Sequence, residues 1–230
     1  YIGRGSQHKI QVSDQTVASE LESNGASLLA DYGSYKLYET DLTTAQTLHD
    51  AERGEIRDES NLILLNAGII DTAREEVQAL RRNVGKASGK TTGMRLVQFV
   101  GPVKPEWHDA LSRTGVRIVT YIPNNAYLVF GDGAALSSLR EWSTNSNYVQ
   151  WDGEYIAAYR VDPAFNEAKK NKLLAAATRT EFSRVADKNR PQDFDQVIVQ
   201  LVYSATTNQN TISTIQQQLG AQSIVRNTID

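Results

Sequence analysis

The chain has 230 residues, a hydrophobic content of 40% and a formal net charge of −3. This length allows one to three domains with a packed core, and the mildly negative charge gives no indication of affinity for nucleic acid. The absence of cysteine excludes disulfides, thiol catalysis and cysteine-based zinc sites within this sequence. No apolar run approaches the roughly 20 residues that span a bilayer, so no membrane span is predicted.

Residues 1–72 predict a first module behind a glycine-rich arm. A strand at residues 8–12 precedes a helix with Asp14 as its N-cap. Val17 and Leu21 face inward on this helix, and a glycine ends it. The remaining predicted elements are strands at 26–30 and 35–39, a helix after Thr40 or Asp41, and short strands at 55–58 and 62–65. The order is β-α-β-β-α-β with one extra strand.

Residues 73–93 predict a charged, flexible linker. Its first ten residues are charged and helix-prone, and its end has the sequence VGKASGKTTG. The Gly89-Lys90-Thr91 triplet resembles the end of a phosphate-binding loop. Val84 stands where that loop requires a glycine, and no strand precedes it, so we interpret the segment as a linker.

Residues 94–162 predict a second module with the same order of elements. A strand at 95–100 ends at Gly101-Pro102. The following helix begins at Pro105 and carries Trp107 on its inward face. Gly115 ends this helix as a C-terminal glycine. The rest of the module is predicted as strands at 116–121 and 126–130, a helix at 134–142, and strands at 148–151 and 155–160.

Residues 163–192 predict a second charged linker, partly helical around 167–177. Residues 193–230 predict the start of a third module, with a strand at 194–202, a helix at 211–219 and a strand at 222–226. The third module lacks its hairpin, so we expect it to continue beyond Asp230.

The repeats predict an α+β fold of tandem ferredoxin-like (β-α-β-β-α-β) plait modules, two complete and a third partial. Each repeat has a helix, a glycine, an apolar strand and a polar turn in the same order. Right-handed crossovers close such a repeat as a four-stranded antiparallel sheet with two helices on one face.

The titratable residues predict neither a catalytic site nor a metal site. His8, His49 and His108 are far apart in the sequence, and we expect them to be surface or structural residues. The Asp58-Glu59 pair is expected to lie on a solvated surface. No calcium-loop spacing is present, and no cofactor is predicted.

The tip of the second hairpin is predicted to bind another protein. Proline presets φ, and asparagine tolerates positive φ, so Pro123-Asn124-Asn125 predicts a tight turn. Hairpin tips seldom become buried, whereas Trp107 and Trp142 fall on inward helical faces. The predicted partner-binding residues are Tyr121, Ile122, Pro123, Asn124, Asn125 and Tyr127.

One set of residues carries a resemblance to a known family. The motif Gln98-Phe99-x-Gly101-Pro102, with Trp107 and Tyr121-Ile122-Pro123, resembles the N-terminal pro-regions of secreted bacterial subtilisin-like (S8 family) serine peptidases. The resemblance covers roughly residues 20–72 and 94–163. It implies an intramolecular chaperone and inhibitor whose plait sheet packs on the peptidase and whose C-terminal tail lies in the substrate cleft. It also implies a secreted, extracellular protein, although no signal peptide is visible in the chain.

The chain departs from a complete precursor of that family in one decisive respect, and its partial third module also departs from a simple one-domain pro-region. The catalytic motifs Asp-Thr-Gly, His-Gly-Thr and Gly-Thr-Ser-Met-Ala are missing, so we expect no enzyme here and a peptidase domain beyond Asp230 or on another chain. The alternative is an extracellular structural, filament or adhesive repeat protein. Open strand edges would then join copies of the chain into a homo-oligomer by strand addition.

Overall fold

A computed structural model describes residues 7–83, 92–161, 199, 201–202 and 207–219. The chain forms two compact units, Tyr1–Ala177 and Thr178–Asp230. The described residues confirm an α+β fold, with antiparallel sheets and helices. Within these ranges, no helix combines the length and the apolar character needed to cross a membrane.

The first module is a four-stranded antiparallel sheet in the order β2-β3-β1-β4. Its elements are β1 (Gln7–Val12), α1 (Gln15–Ser23), β2 (Ser27–Asp31), β3 (Lys36–Asp41), α2 (Leu42–Asp50) and β4 (Glu55–Ile56). The predicted cap Asp14 is confirmed, because its carboxylate accepts from backbone N–H groups of α1. Of the two candidates for the cap of α2, Thr40 and Asp41, the structure has Asp41, which accepts from Thr44 N–H. The two helices bury Val17, Ala18, Leu21, Ala45 and Leu48 against Ile10, Val12 and Tyr38.

Between the modules lie a short 3₁₀ helix (Asp58–Asn61), a hairpin of β5 (Leu62–Leu65) and β6 (Gly68–Asp71), and helix α3 (Glu75–Asn83). The predicted strand at 55–58 is wrong in its second half, because the chain turns into the 3₁₀ helix at Asp58. The predicted extra strand is β5, and its partner β6 was not predicted. The range 73–93 contains α3 and the start of the next strand, in addition to residues outside the described part.

The second module repeats the strand order as β10-β7-β9-β8, again antiparallel. Its elements are β7 (Thr92–Phe99), α4 (Pro105–Arg113), β8 (Arg117–Ile122), β9 (Ala126–Asp132), α5 (Gly133–Asn145) and β10 (Val149–Glu154). The strand predicted at 155–160 is wrong: after β10 the chain forms a 3₁₀ helix, Ala157–Tyr159. The Arg160 guanidinium donates to the Tyr155 carbonyl across this turn.

Both faces of the second sheet are covered by the chain itself. On one face, α4 and α5 pack Trp107, Leu111 and Leu139 against Val97, Phe99 and Val129. On the other face, Ile63 and Ile70 of the β5–β6 hairpin pack on Leu96, Leu128 and Trp151. Helix α3 adds Val77 to this second layer, and the Trp151 indole N–H donates to the Val77 carbonyl at 3.1 Å.

The two modules contact each other within the first unit. Leu37 and Ala30 of the first sheet belong to the same buried cluster as Phe99 and Trp107 of the second module. The Tyr32 hydroxyl donates to the Pro102 carbonyl at 2.9 Å. The face of the first sheet that lies away from its helices is therefore occupied by the second module.

In the second compact unit the described residues form helix α6 (Thr207–Leu219), which confirms the helix predicted at 211–219. The strand predicted at 194–202 is described only at Val199, Leu201 and Val202, which lie in no helix or strand. The predicted helix at 167–177 and the predicted strand at 222–226 lie outside the described residues.

Candidate functional site

The predicted hairpin tip is a three-residue turn between β8 and β9. Ile122 and Ala126 are the last paired residues. Asn124 and Asn125 have φ values of 67° and 65°, the left-handed conformation that asparagine adopts at low cost. This turn geometry confirms the prediction made from the Pro-Asn-Asn sequence.

The tip is held down on the neighbouring strand β7. Phe99 N–H donates to the Asn125 carbonyl at 2.9 Å, and the Gln98 side-chain amide donates to the Asn124 carbonyl at 3.0 Å. Asn125 N–H in turn donates to the Tyr121 hydroxyl oxygen at 3.2 Å. The backbone of the turn is therefore fixed, which limits the entropy that a partner would have to remove on binding.

Two tyrosines project from the tip on the side of helix α4. Tyr121 and Tyr127 are cross-strand partners whose rings meet edge to face, 5.4 Å apart. Tyr127 also contacts the His108 ring at 5.7 Å and the buried Phe99 ring at 6.2 Å. Tyr121 is 51% exposed and forms the outer end of this aromatic row.

The remaining predicted tip residues divide between surface and interior. Pro123 is exposed, and the two asparagines are half-buried. Ile122 is 7% exposed and lies in the cluster under the β5–β6 hairpin, with Ile63 and Leu96. The side chains available at the tip are therefore the tyrosines and the turn, while Ile122 anchors the strand from the opposite face.

The outer face of the β5–β6 hairpin is a second apolar surface. Leu64 and Ile69 are cross-strand partners and remain 40% and 66% exposed. Their neighbours Ile63 and Ile70 point inward, so the hairpin is apolar on both faces. An amphipathic hairpin would carry polar residues at the outer positions.

Three residues of the motif Gln98-Phe99-x-Gly101-Pro102, namely Phe99, Gly101 and Pro102, lie where the two modules meet. Phe99 is fully buried and stacks on Trp107 at 5.9 Å. Gly101 lies under Tyr32 and Leu37 of the first module, which leave no space for a side chain. The Pro102 carbonyl accepts from Tyr32. In this structure the motif builds an internal contact.

Gln98 is the centre of a buried hydrogen-bond network beneath the tip. Its side-chain oxygen lies 2.6 Å from the Thr72 hydroxyl, and its amide donates to the Ser60 carbonyl at 3.0 Å. The Gln150 amide donates to Thr72 and to Asn61 at 2.6 and 2.9 Å. These bonds tie the 3₁₀ helix and β6 to the second sheet, and they satisfy polar groups that would be costly to bury alone.

Charged residues of the first module are buried beside this network. The His8 ring Nδ1 lies 2.6 Å from an Asp58 carboxylate oxygen, and the other oxygen accepts from Lys9 N–H at 3.0 Å. The expectation that Asp58 is solvated is wrong, because only 9% of the residue is exposed. His8 is a structural residue, as expected. Lys9 is 3% exposed, and its ammonium or amine group reaches the second module.

A buried ion pair lies on the helix side of the second sheet. The Arg95 guanidinium donates to Asp152 at 2.8 Å, and Ser143 of α5 donates to the other Asp152 oxygen at 3.0 Å. Arg95 Nε has no hydrogen-bond partner among the described residues. The group fixes α5 against β7 and β10.

Few titratable side chains lie close together in the part of the chain that the structure describes. No set of three or more His, Asp or Glu residues there is arranged to hold a metal ion. A groove of about 250 Å³ lies between α1 and α2, with Val17 and Leu48 in its floor. Arg53 and Glu20 form an ion pair at its rim, 3.0 Å apart.

The sequence did not predict the burial of the polar residues Lys9, Asp58 and Thr72, nor the bonds of the half-buried Gln150 to them. Their partners are distant along the chain: Lys9 meets Asp58 and Val100, which are 49 and 91 residues away. Strand β1 has the sequence QHKIQV, so Lys9 is one of several polar residues in it and its side-chain type gives no local signal of burial.

A family described as a domain of unknown function (DUF8729) matches residues 64–156. No curated protein and no solved structure matches the chain. The matched range begins within β5 and ends just after β10, so it joins the β5–β6 hairpin and α3 to the second module, as the packing does.

Proposed function

We propose that this chain is a non-catalytic pro-region of a secreted subtilisin-like peptidase, which assists folding of the peptidase and inhibits it by binding. We also propose that both modules are ferredoxin-like plaits. The strand order of the two four-stranded sheets supports the plait assignment. The central strands are β1 and β3 in the first sheet, and β7 and β9 in the second. The observation that carries the functional proposal is the motif at residues 98–102 together with Trp107 and the Tyr121-Ile122-Pro123 tip.

Partner binding in this proposal uses the tip and the strand behind it. The sheet faces are occupied by the chain's own helices, hairpin and neighbouring module. Strand β8 is at the edge of its sheet and, among the described strands, pairs with β9 alone. A peptide segment of the peptidase can add to such an edge, with Tyr121 as an aromatic anchor beside it.

The experiment uses the full chain and the catalytic domain of a secreted subtilisin-like peptidase. The proposal expects Asp-Thr-Gly and Gly-Thr-Ser-Met-Ala motifs in the coding sequence beyond Asp230, which identifies the domain to express. Hydrolysis of a chromogenic peptide is measured against chain concentration, and recovery of activity is measured after refolding with and without the chain. Lack of both inhibition and refolding assistance at micromolar concentration contradicts the proposal.

A second candidate function is an extracellular repeat protein that assembles by strand addition. The observation that favours it is the pair of edge strands β2 and β8, each paired on one side only among the described strands. Light scattering over a concentration series, with electron microscopy of the concentrated sample, distinguishes the two. A scattering mass that increases with concentration, together with filaments in the electron micrographs, supports assembly. A constant monomer mass contradicts it.

A further inference from the structure

We propose that Lys9 makes the contact between the two modules responsive to pH, with the neutral amine fitting the contact and the ammonium weakening it. This inference does not depend on the proposed function. It rests on the position of Lys9 in the first sheet and on the groups that surround its side chain.

Lys9 crosses the contact between the modules. Its Cα lies on the central strand β1, and its side chain leaves the sheet on the face away from α1 and α2. Nζ donates to the Val100 carbonyl at 2.5 Å and to the Gln150 side-chain oxygen. Both acceptors belong to the second module, and both are neutral.

The donor count fits a neutral amine. An amine has two N–H groups, which match the carbonyl of Val100 and the amide oxygen of Gln150. An ammonium adds a third N–H and a full charge. Because Lys9 is only 3% exposed, that charge loses its hydration, and its two described hydrogen-bond acceptors are neutral.

The carboxylates around Lys9 compensate only in part for the lost hydration of its ammonium group. Glu39 faces it from β3 as its cross-strand partner, and Asp58 and Glu59 face it from the 3₁₀ helix. Asp58 is already bonded to the His8 ring and to the Lys9 backbone. Burial lowers the pKa of the Lys9 ammonium to about 7, and the three carboxylates raise it by less than burial lowers it.

The sign of the pH dependence follows from this lowered pKa. An unfolded lysine titrates at 10.5, so the unfolded chain binds one more proton than the folded chain between about pH 7 and that value. Stability contributed at this position therefore rises with pH across that window. Below about pH 7 both states are protonated, the contribution is constant, and the contact is at its weakest.

Urea unfolding of the full chain between about pH 6 and pH 9 tests the inference. Lys9→Met keeps the length of the side chain and removes the titrating group. We expect the unfolding constant of the unmodified chain, divided by that of Lys9→Met, to fall by up to about tenfold per pH unit above pH 7. The control Lys36→Met removes a half-buried lysine that pairs with Glu22 in the same module. A ratio for Lys9 that is flat with pH, like that of the control, overturns the inference.

An NMR titration of the unmodified chain gives a direct answer if Lys9→Met does not fold. The ε-carbon resonance of Lys9 is expected to titrate near pH 7, and a midpoint above about pH 9, close to that of a free lysine, overturns the inference. The NOE between a Leu37 methyl group and the Gly101 α-protons reports the contact itself. We expect it to weaken as Lys9 becomes protonated. An NOE that stays constant through the Lys9 titration also overturns the inference.

Discussion

At the scale of single residues, the most informative positions are those where a side chain has no room to change. Gly101 lies against Tyr32 and Leu37, and Gly153 lies beneath the Trp151 ring. The sequence indicated Gly101 only as the end of a strand. The reason for a glycine there is a contact with Tyr32 and Leu37, which are far earlier in the chain, so no local pattern contains it.

Gly101→Ala tests this close approach. A Cβ atom at residue 101 would lie 2.8 Å from the Tyr32 hydroxyl oxygen and 2.9 Å from a Leu37 methyl carbon. We expect overpacking to lower the free energy of unfolding by about 1–3 kcal/mol, measured by urea denaturation. Gly93→Ala is the matched control, because its Cβ would meet Leu136 at an ordinary 3.6 Å. Equal stability of the two variants contradicts the described contact.

Local chemistry predicted other residues well. Asp14 and Asp41 cap their helices because a short acidic side chain can bond to free N–H groups one turn ahead. Asn124 and Asn125 adopt positive φ because of their own side-chain type. The Lys9–Gln150 and His8–Asp58 pairs depend on folding of distant segments, so the sequence could not predict them.

At the scale of elements, the β5–β6 hairpin covers one face of the second sheet and makes that face inaccessible to a partner. The apolar run at 62–65 predicted one strand, but the second strand of the hairpin is four residues long and has no alternation of polar and apolar side chains. Its pairing and its place on the second sheet depend on Leu96, Leu128 and Trp151. The sequence therefore predicted strand β5 but did not predict that the β5–β6 hairpin packs on the second sheet.

Two isoleucines on opposite faces of this hairpin give a matched test. Ile63 is fully buried against the second sheet, whereas Ile69 is 66% exposed. We expect Ile63→Ala to lower the free energy of unfolding by about 2–5 kcal/mol and Ile69→Ala to change it by less than about 0.5 kcal/mol. Thermal and urea unfolding of the two variants measure the difference. Similar losses for both would mean that the hairpin does not pack on the sheet as described.

At the scale of the whole molecule, the sequence predicted two repeats of one element order, and the structure has the same strand order in the two four-stranded sheets. The sequence did not predict how the modules use their free sheet faces. The first sheet meets the second module, and the second sheet receives the hairpin and α3. These arrangements follow from shape and burial over the whole unit, so a pattern of a few residues does not contain them.

This arrangement changes where a partner is expected to bind. The resemblance implied docking on a sheet face, but both faces of the second sheet are covered by the chain itself. The proposal therefore uses the tip and the β8 edge of the second module. Tyr121 is the largest exposed side chain at that place, on a turn whose backbone is already fixed. A rigid aromatic residue at a fixed turn has the properties of a binding hot spot.

The inhibition constant of the chain against the catalytic domain of a secreted subtilisin-like peptidase tests the central claim most directly. We predict inhibition at micromolar concentration or below. For Tyr121→Ala we predict an inhibition constant about 30-fold higher, because the variant loses about 2 kcal/mol of binding free energy from an aromatic side chain that becomes buried in the complex. Leu42→Ala removes an equally exposed apolar side chain from the first module, 50% exposed, and is predicted to leave the constant unchanged. A chain that does not inhibit contradicts the inhibitor role, and one that also fails to assist refolding contradicts the claim of a peptidase pro-region. Equal constants for Tyr121→Ala and the unmodified chain contradict binding through the tip.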